Sequence, residues 1–169
     1  MHRLFLLLSV FCLLPIVSCV PVSYYREWTY ADLRLLDPVE DASTPSTDIL
    51  AVYIRTIGSD LVIRIDLLDI PLIPDYRLQI LLDTLPGGYP LDLTIDIPAD
   101  GRPSVTPANS NLIPRLIRDP WMDTVTVRFN RLDIPQPFTL QVAAFTPDES
   151  DPADVTDLVR SDALPPTQR

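Results

Sequence analysis

Between residues 49 and 145, apolar and polar positions alternate in short runs. In 61–68, Leu61, Ile63, Ile65 and Leu67 fall on one side and Val62, Arg64, Asp66 and Leu68 on the other. In 76–83, Tyr76, Leu78, Ile80 and Leu82 alternate with Arg77, Gln79, Leu81 and Asp83. Successive side chains of a strand point to opposite faces, so each run predicts a strand with one face suited to a core. The same period predicts strands over 49–57, 91–97, 124–130 and 138–145, with a weaker first strand over 32–36. Pro114 restricts 112–118 to an edge strand, because proline cannot donate to a central ladder.

The breaks agree with this pattern. Gly58-Ser59 is a two-residue hairpin signal, with glycine supplying the positive φ of the first turn position. Residues 37–47 (DPVEDASTPST) read as a loop, and 98–111 (PADGRPSVTPANSN) as the longest polar loop. Asp151-Pro152-Ala153-Asp154 resembles a helix start with proline at the first helical position, predicting a short helical turn over 155–159. The tail, 161–169, is expected to be loose. Segments 62–71 (VIRIDLLDIP) and 126–135 (TVRFNRLDIP) echo one another, and each precedes a strand containing Leu-Gln. No long run has a helical period. The expectation is an all-β antiparallel sandwich of about seven or eight strands over 32–160.

Composition sharpens that reading. Of the 23 acidic residues only Glu27, Glu40 and Glu149 are glutamate, and all 13 basic residues are arginine. Aspartate suits turns and caps, where its short carboxylate bonds nearby N–H groups, so its excess fits a chain rich in turns. A formal charge of −10 repels phosphate backbones, which argues against nucleic acid as a partner and against a polybasic membrane patch.

The N-terminus carries a different pattern. Arg3 precedes an apolar run from Leu4 to Val17, too short to span a bilayer as a helix. It reads as a signal peptide over 1–18, with 19–31 as a tether. Its end, Leu-Pro-Ile-Val-Ser-Cys at 14–19, resembles the bacterial lipobox, in which an aliphatic residue lies three before a cysteine and a small residue just before it. The resemblance implies cleavage before Cys19, acylation of Cys19, and a membrane partner held through that lipid. The expected address is the cell membrane or outer membrane, facing the periplasm or the cell exterior. Cleavage would remove Cys12 and the single histidine, His2, leaving one cysteine that cannot form an intramolecular disulfide.

After that cleavage the chain would hold neither histidine nor lysine and would assemble no Ser-His-Asp triad, and neither a G-x-S-x-G elbow nor a phosphate-binding glycine loop is present. An enzyme is therefore not expected. Paired aspartates are the remaining catalytic option, and among so many acids such pairs arise by chance.

The run DILAVYIRTIGSDLVIRIDLLDIP, the LDT-LPGG strand end and the DPVED loop together resemble the DOMON-like and family-9 carbohydrate-binding-module group. That resemblance implies an extracytoplasmic β-sandwich that binds sugar or haem, in some members with calcium. Haem ligands there are commonly Met or His, and only Met122 would remain, so haem is set aside. The ligand expected is a carbohydrate or cell-envelope glycan. The other reading is an envelope lipoprotein that docks a protein partner through a sheet edge or the 98–111 loop.

The candidate ligand-binding residues are Trp121, in Asp-Pro-Trp-Met-Asp, and Tyr89, in the Pro-Gly-Gly-Tyr-Pro link. Trp121 has two readings, a face that stacks on a sugar ring or a lid packed on the core. Trp28 is expected to pack the N-terminal segment. Asp37, Asp41 and Asp48 are candidate ligands for a structural calcium, a hard cation that takes oxygen donors from loops. Ordinary turn capping is their alternative, and the glycine usual in the family's acidic loop is missing.

Overall fold

The computed structural model describes residues 27–84, 92–99, 101–107 and 112–166. The fold is an all-β sandwich of two antiparallel sheets. Its strands are β1 (Leu33–Leu36), β2 (Ile49–Ile57), β3 (Asp60–Leu67), β4 (Arg77–Asp83), β5 (Leu93–Ile97), β6 (Ser104–Thr106), β7 (Arg115–Asp119), β8 (Thr124–Asn130), β9 (Thr139–Phe145), β10 (Asp154–Val155) and β11 (Val159–Arg160). The first sheet has the order β1-β2-β3-β8-β7. The second has the order β10-β9-β4-β5-β6, with β11 also on β9.

The alternation seen in the sequence is the division between core and solvent. Ile63 and Ile65 of β3 pair with Val127 and Val125 of β8, and across the sandwich Ile80 of β4 pairs with Ile95 and Val142. All of these are buried in one cluster, whereas Arg64, Asp66, Arg77 and Gln79 lie on the outer faces. The hairpin forms at Gly58, whose φ of +59° is the left-handed conformation that glycine adopts at no steric cost. The two echoing segments are neighbours: β3 pairs with β8, and the strands that follow them, β4 and β9, also pair. β7 lies at the edge of its sheet, where Pro114 just before it removes no central ladder bond.

Three expectations change. Residues 155–159 form no helical turn; Asp154 and Val155 pair with Ala144 and Ala143, and Val159 pairs with Leu140. The free edge of β9 offers ladder groups to this segment, and satisfying them outweighs the local helix-start signal. The beginning of the tail is tied down, since the Ser161 N–H donates to the Phe138 carbonyl and Ala163 packs against the core. The polar loop 98–111 contains β6, which pairs with β5.

Residues 154–163 thus form a strap along β9. The strap and β1 meet where the two sheets adjoin, and the Arg34 Nε donates to the Ser161 carbonyl across that seam at 3.1 Å. Among the described residues, no helix is long and apolar enough to cross a membrane.

Candidate metal centre

The loop between β1 and β2 is held in shape by its own polar side chains. Thr44 and Thr47 hydroxyls lie 2.9 Å apart, and the Thr47 N–H donates to the Thr44 carbonyl. Glu40 turns the chain with a φ of 66°, doing in a left-handed conformation what glycine usually does. Its N–H donates to Asp48 Oδ2 at 2.6 Å, so the loop closes on its own last carboxylate.

At the end of this loop the ladder between β2 and β3 shifts register between Ile49 and Ala51. The irregularity accompanies a contact with the opposite sheet: the Ile49 N–H donates to Asp154 Oδ2 at 2.6 Å, 105 residues away. That bond brings the first residue of the strap against the acidic loop. One carboxylate oxygen each from Asp37, Asp41 and Asp154 then lies within 4.8 Å of the others.

The electrostatics of the cluster are one-sided. Burial, then the charges of Asp154, Asp41, Asp157 and Asp48, push the Asp37 carboxyl from 3.8 up to about 7. Burial also raises Asp154, against the lowering effect of its Ile49 hydrogen bond, and Asp41 and Asp48 raise it further. The charges that push Asp37 up are all negative, and among the described residues no arginine pairs with it. Asp48 is only 1% exposed, and its Oδ1 has no hydrogen-bond partner; neither has the buried Oδ2 of Asp37. Buried carboxylate oxygens without donors are costly, and a cation removes that cost directly.

The donor set selects the ion. Only oxygen is offered, with neither histidine nor cysteine, which favours hard cations over zinc or copper. Calcium takes 6–8 oxygens at about 2.3–2.6 Å, so two oxygens sharing one ion lie within about 5 Å of each other, a condition that the Asp37–Asp41–Asp154 triad meets. Loops supply such sites more readily than the strict octahedron that magnesium demands. Asp41, exposed, would face solvent, and Asp37, Asp48 and Asp154 the interior.

Of the three predicted ligands, Asp37 and Asp41 are brought together and Asp48 lies beside them. Asp154 was missed because its sequence context reads as a helix cap. Nothing local in the sequence joins it to a loop more than a hundred residues earlier.

Trp121 is at the tip of the turn between β7 and β8, with its N–H donating to Asp119 Oδ1 at 3.1 Å. The indole is 87% exposed, so it does not act as a core lid. Asp123, in the same turn, accepts from Leu67 N on its carbonyl and from Ile70 N on Oδ1, both at 3.0 Å. The neighbouring Leu68 and Asp69 N–H groups donate to the carbonyls of Asp48 and Pro45. A single strip, 67–70, therefore runs between the Trp121 turn and the acidic loop, and both occupy one end of the sandwich.

Neither a protein-family model nor a curated protein matches the chain. The chemistry of this end must be read from its own residues.

Trp28 packs as expected. Its ring is 5.8 Å from that of Tyr53, and the Arg55 guanidinium carbon is 3.8 Å from the Trp28 ring centroid, a cation–π contact. Cys19 and Tyr89 lie outside the described residues. An open groove of about 620 Å³ lies away from the acids, between β6 and β7, lined by Arg102, Val105, Leu112, Ile113 and Leu116 among others.

Proposed function

We propose that this protein is a lipid-anchored, extracytoplasmic binding module that uses calcium to shape the end of the sandwich carrying its ligand. The observation that carries this reading is the meeting, at one end, of unneutralised carboxylates and a fully presented indole. Asp37, Asp41, Asp48 and Asp154 would hold the ion, which would supply positive charge where the described residues place none. Calcium sites of extracellular modules operate at about 10⁻⁴–10⁻³ M, a range suited to the address implied by the lipobox-like segment and Cys19.

The ligand class is a carbohydrate or cell-envelope glycan. The resemblance supports it, and Trp121 offers the flat apolar face on which a sugar ring stacks. The test is a pull-down on envelope glycans and a panel of polysaccharides, with calcium or with chelator. Binding that falls about tenfold or more in Trp121→Ala is the expected result. Absence of binding to every glycan, or full binding by the variant, would reject the glycan reading and leave the metal site standing. The anchor is tested separately: Cys19→Ala is expected to release the protein from membranes or block its processing.

A second reading is favoured by the groove between β6 and β7, whose apolar floor lies between two sheet edges. Co-purification of a stoichiometric envelope protein, lost on Leu116→Asp, would support partner docking there.

A further inference from the structure

The acidic centre spans the seam between the sheets, and its two sides are unequally fixed. Asp37, Asp41 and Asp48 belong to the β1–β2 loop, which is braced by the Thr44–Thr47 contacts and the Glu40–Asp48 bond. Asp154 belongs to the strap, and so does Asp157, whose charge also acts on Asp37. The strap is joined to β9 by two pairings of only two residues each. Between them, Thr156 is 1% exposed; its N–H donates to the Val142 carbonyl, its Oγ1 accepts from Val142 N at 3.0 Å, and its carbonyl accepts from Gln141 Nε2. Val159 is buried in the core, Ala163 packs against it, and Ser161 bonds Phe138 and Arg34.

We infer that the cation is a latch for the C-terminal strap: bound calcium clamps residues 154–163 onto β9, and its loss frees them. The inference rests on the calcium reading of the centre. Without the ion, the carboxylates of loop and strap repel each other across the seam, and the strap yields because its ladder on β9 is two short pairings at a sheet edge, whereas the loop runs into the nine-residue β2 inside its sheet. Freed, it uncovers the edge of β9, a row of unpaired ladder groups beside the ligand-bearing end. The domain would then close at extracytoplasmic calcium and stay open where calcium is scarce. Local opening of this kind is characteristic of elements with few buried contacts.

The test is hydrogen exchange on the full-length processed protein in detergent, with calcium at about 1 mM or with excess chelator. Amides of Ala153, Thr156 and Ser161, all hydrogen-bonded to β9 or to Phe138 just before it, are expected to exchange at least about tenfold faster in chelator. Those of Ile63 and Ile80 in the central strands should hold. Calorimetric titration with calcium is run alongside. Calcium binding with unchanged strap exchange overturns the latch and spares the metal site; no calcium binding overturns both.

Asp41→Asn is the decisive variant, because Asp41 is exposed and lies on the loop side of the seam. With calcium present it should exchange its strap faster than wild type, although no strap residue was altered. Strap protection equal to wild type would overturn the inference. Asp154→Asn, which retains an oxygen for the Ile49 N–H, should give the larger loosening.

Discussion

Two regions of this sandwich put half-buried carboxylates to opposite uses. On the outer face of β2, β3 and β8 each acid has an arginine. Arg64 forks onto Asp66 at 2.5 and 3.0 Å, Arg128 meets Asp60 at 2.6 Å, and Arg55 stands 3.8 Å from Asp32. At the 37–48 end, four acids meet, among the described residues, one another and backbone N–H groups. Burial raises the Asp66 carboxyl too, but the Arg64 hydrogen bonds and charge pull it back. Among the described residues no arginine does this for Asp37. A planar guanidinium saturates a carboxylate from within the protein. A cluster without one is completed only by a proton or by a cation from outside.

The largest expected effect separates the regions by metal. Calcium added to chelated protein at about 10 mM, roughly a hundredfold over a dissociation constant near 10⁻⁴ M, would stabilise by about 2.7 kcal/mol, a rise in melting temperature on the order of 10 °C. Asp154→Asn should abolish that rise. An equal melting temperature with calcium and chelator would show that the acids are ordinary turn residues.

Next in size is the dependence on pH. Burial and the neighbouring carboxylates push the folded Asp37 carboxyl from 3.8 up to about 7, so the folded state holds the proton more tightly than the unfolded chain. Metal-free stability should therefore fall as pH rises between these two values and level off above them. With calcium the slope should reverse over the same window, because the ion must displace that proton. Melts from pH 5 to pH 8 in both conditions read the sign. Parallel curves would mean that Asp37 is not a ligand.

Arg64→Gln probes the other region. It leaves Asp66 without its fork and weakens the stacking of Arg64 near Tyr53 and Trp28. The expected loss is about 1–2 kcal/mol, the same with calcium as with chelator. A loss that calcium restores would couple two regions that the geometry keeps apart.

How much of this was legible beforehand follows from what each signal depends on. Alternation at Ile63, Ile65, Leu78 and Ile80 reports burial directly, so the central strands stand where the period put them. Pro114 marked an edge strand for a reason internal to its own backbone. The strap was misread because Asp151-Pro152 describes a helix start locally, whereas the vacancy it fills is the edge of β9, created by residues elsewhere. The acidic cluster was half legible for the same reason. Asp37 and Asp41 share a loop, but Asp154 joins them only through a bond to Ile49 that no spacing encodes. Trp121 was ambiguous because exposure is a property of the turn's place in the fold. The turn protrudes at the end of a hairpin that Asp123 ties to Leu67 and Ile70.

The smallest effect concerns the turn that aims the acidic loop. Glu40, at φ 66°, carries a side chain in a conformation costing L-residues about 1–2 kcal/mol. Glu40→Gly removes that strain and one negative charge near the cluster. It also gives the unfolded chain more freedom, which offsets part of the gain. Its N–H still reaches Asp48 Oδ2, so the loop should keep its shape. The expected net is a stabilisation of at most about 1 kcal/mol in chelator. Calcium affinity should change little, because Glu40 holds a ligand in position without being one. A large loss of affinity in Glu40→Gly would instead place its carboxylate on the ion. The acidic centre would then gather a fifth acid, and its contrast with the arginine-matched face would be sharper still.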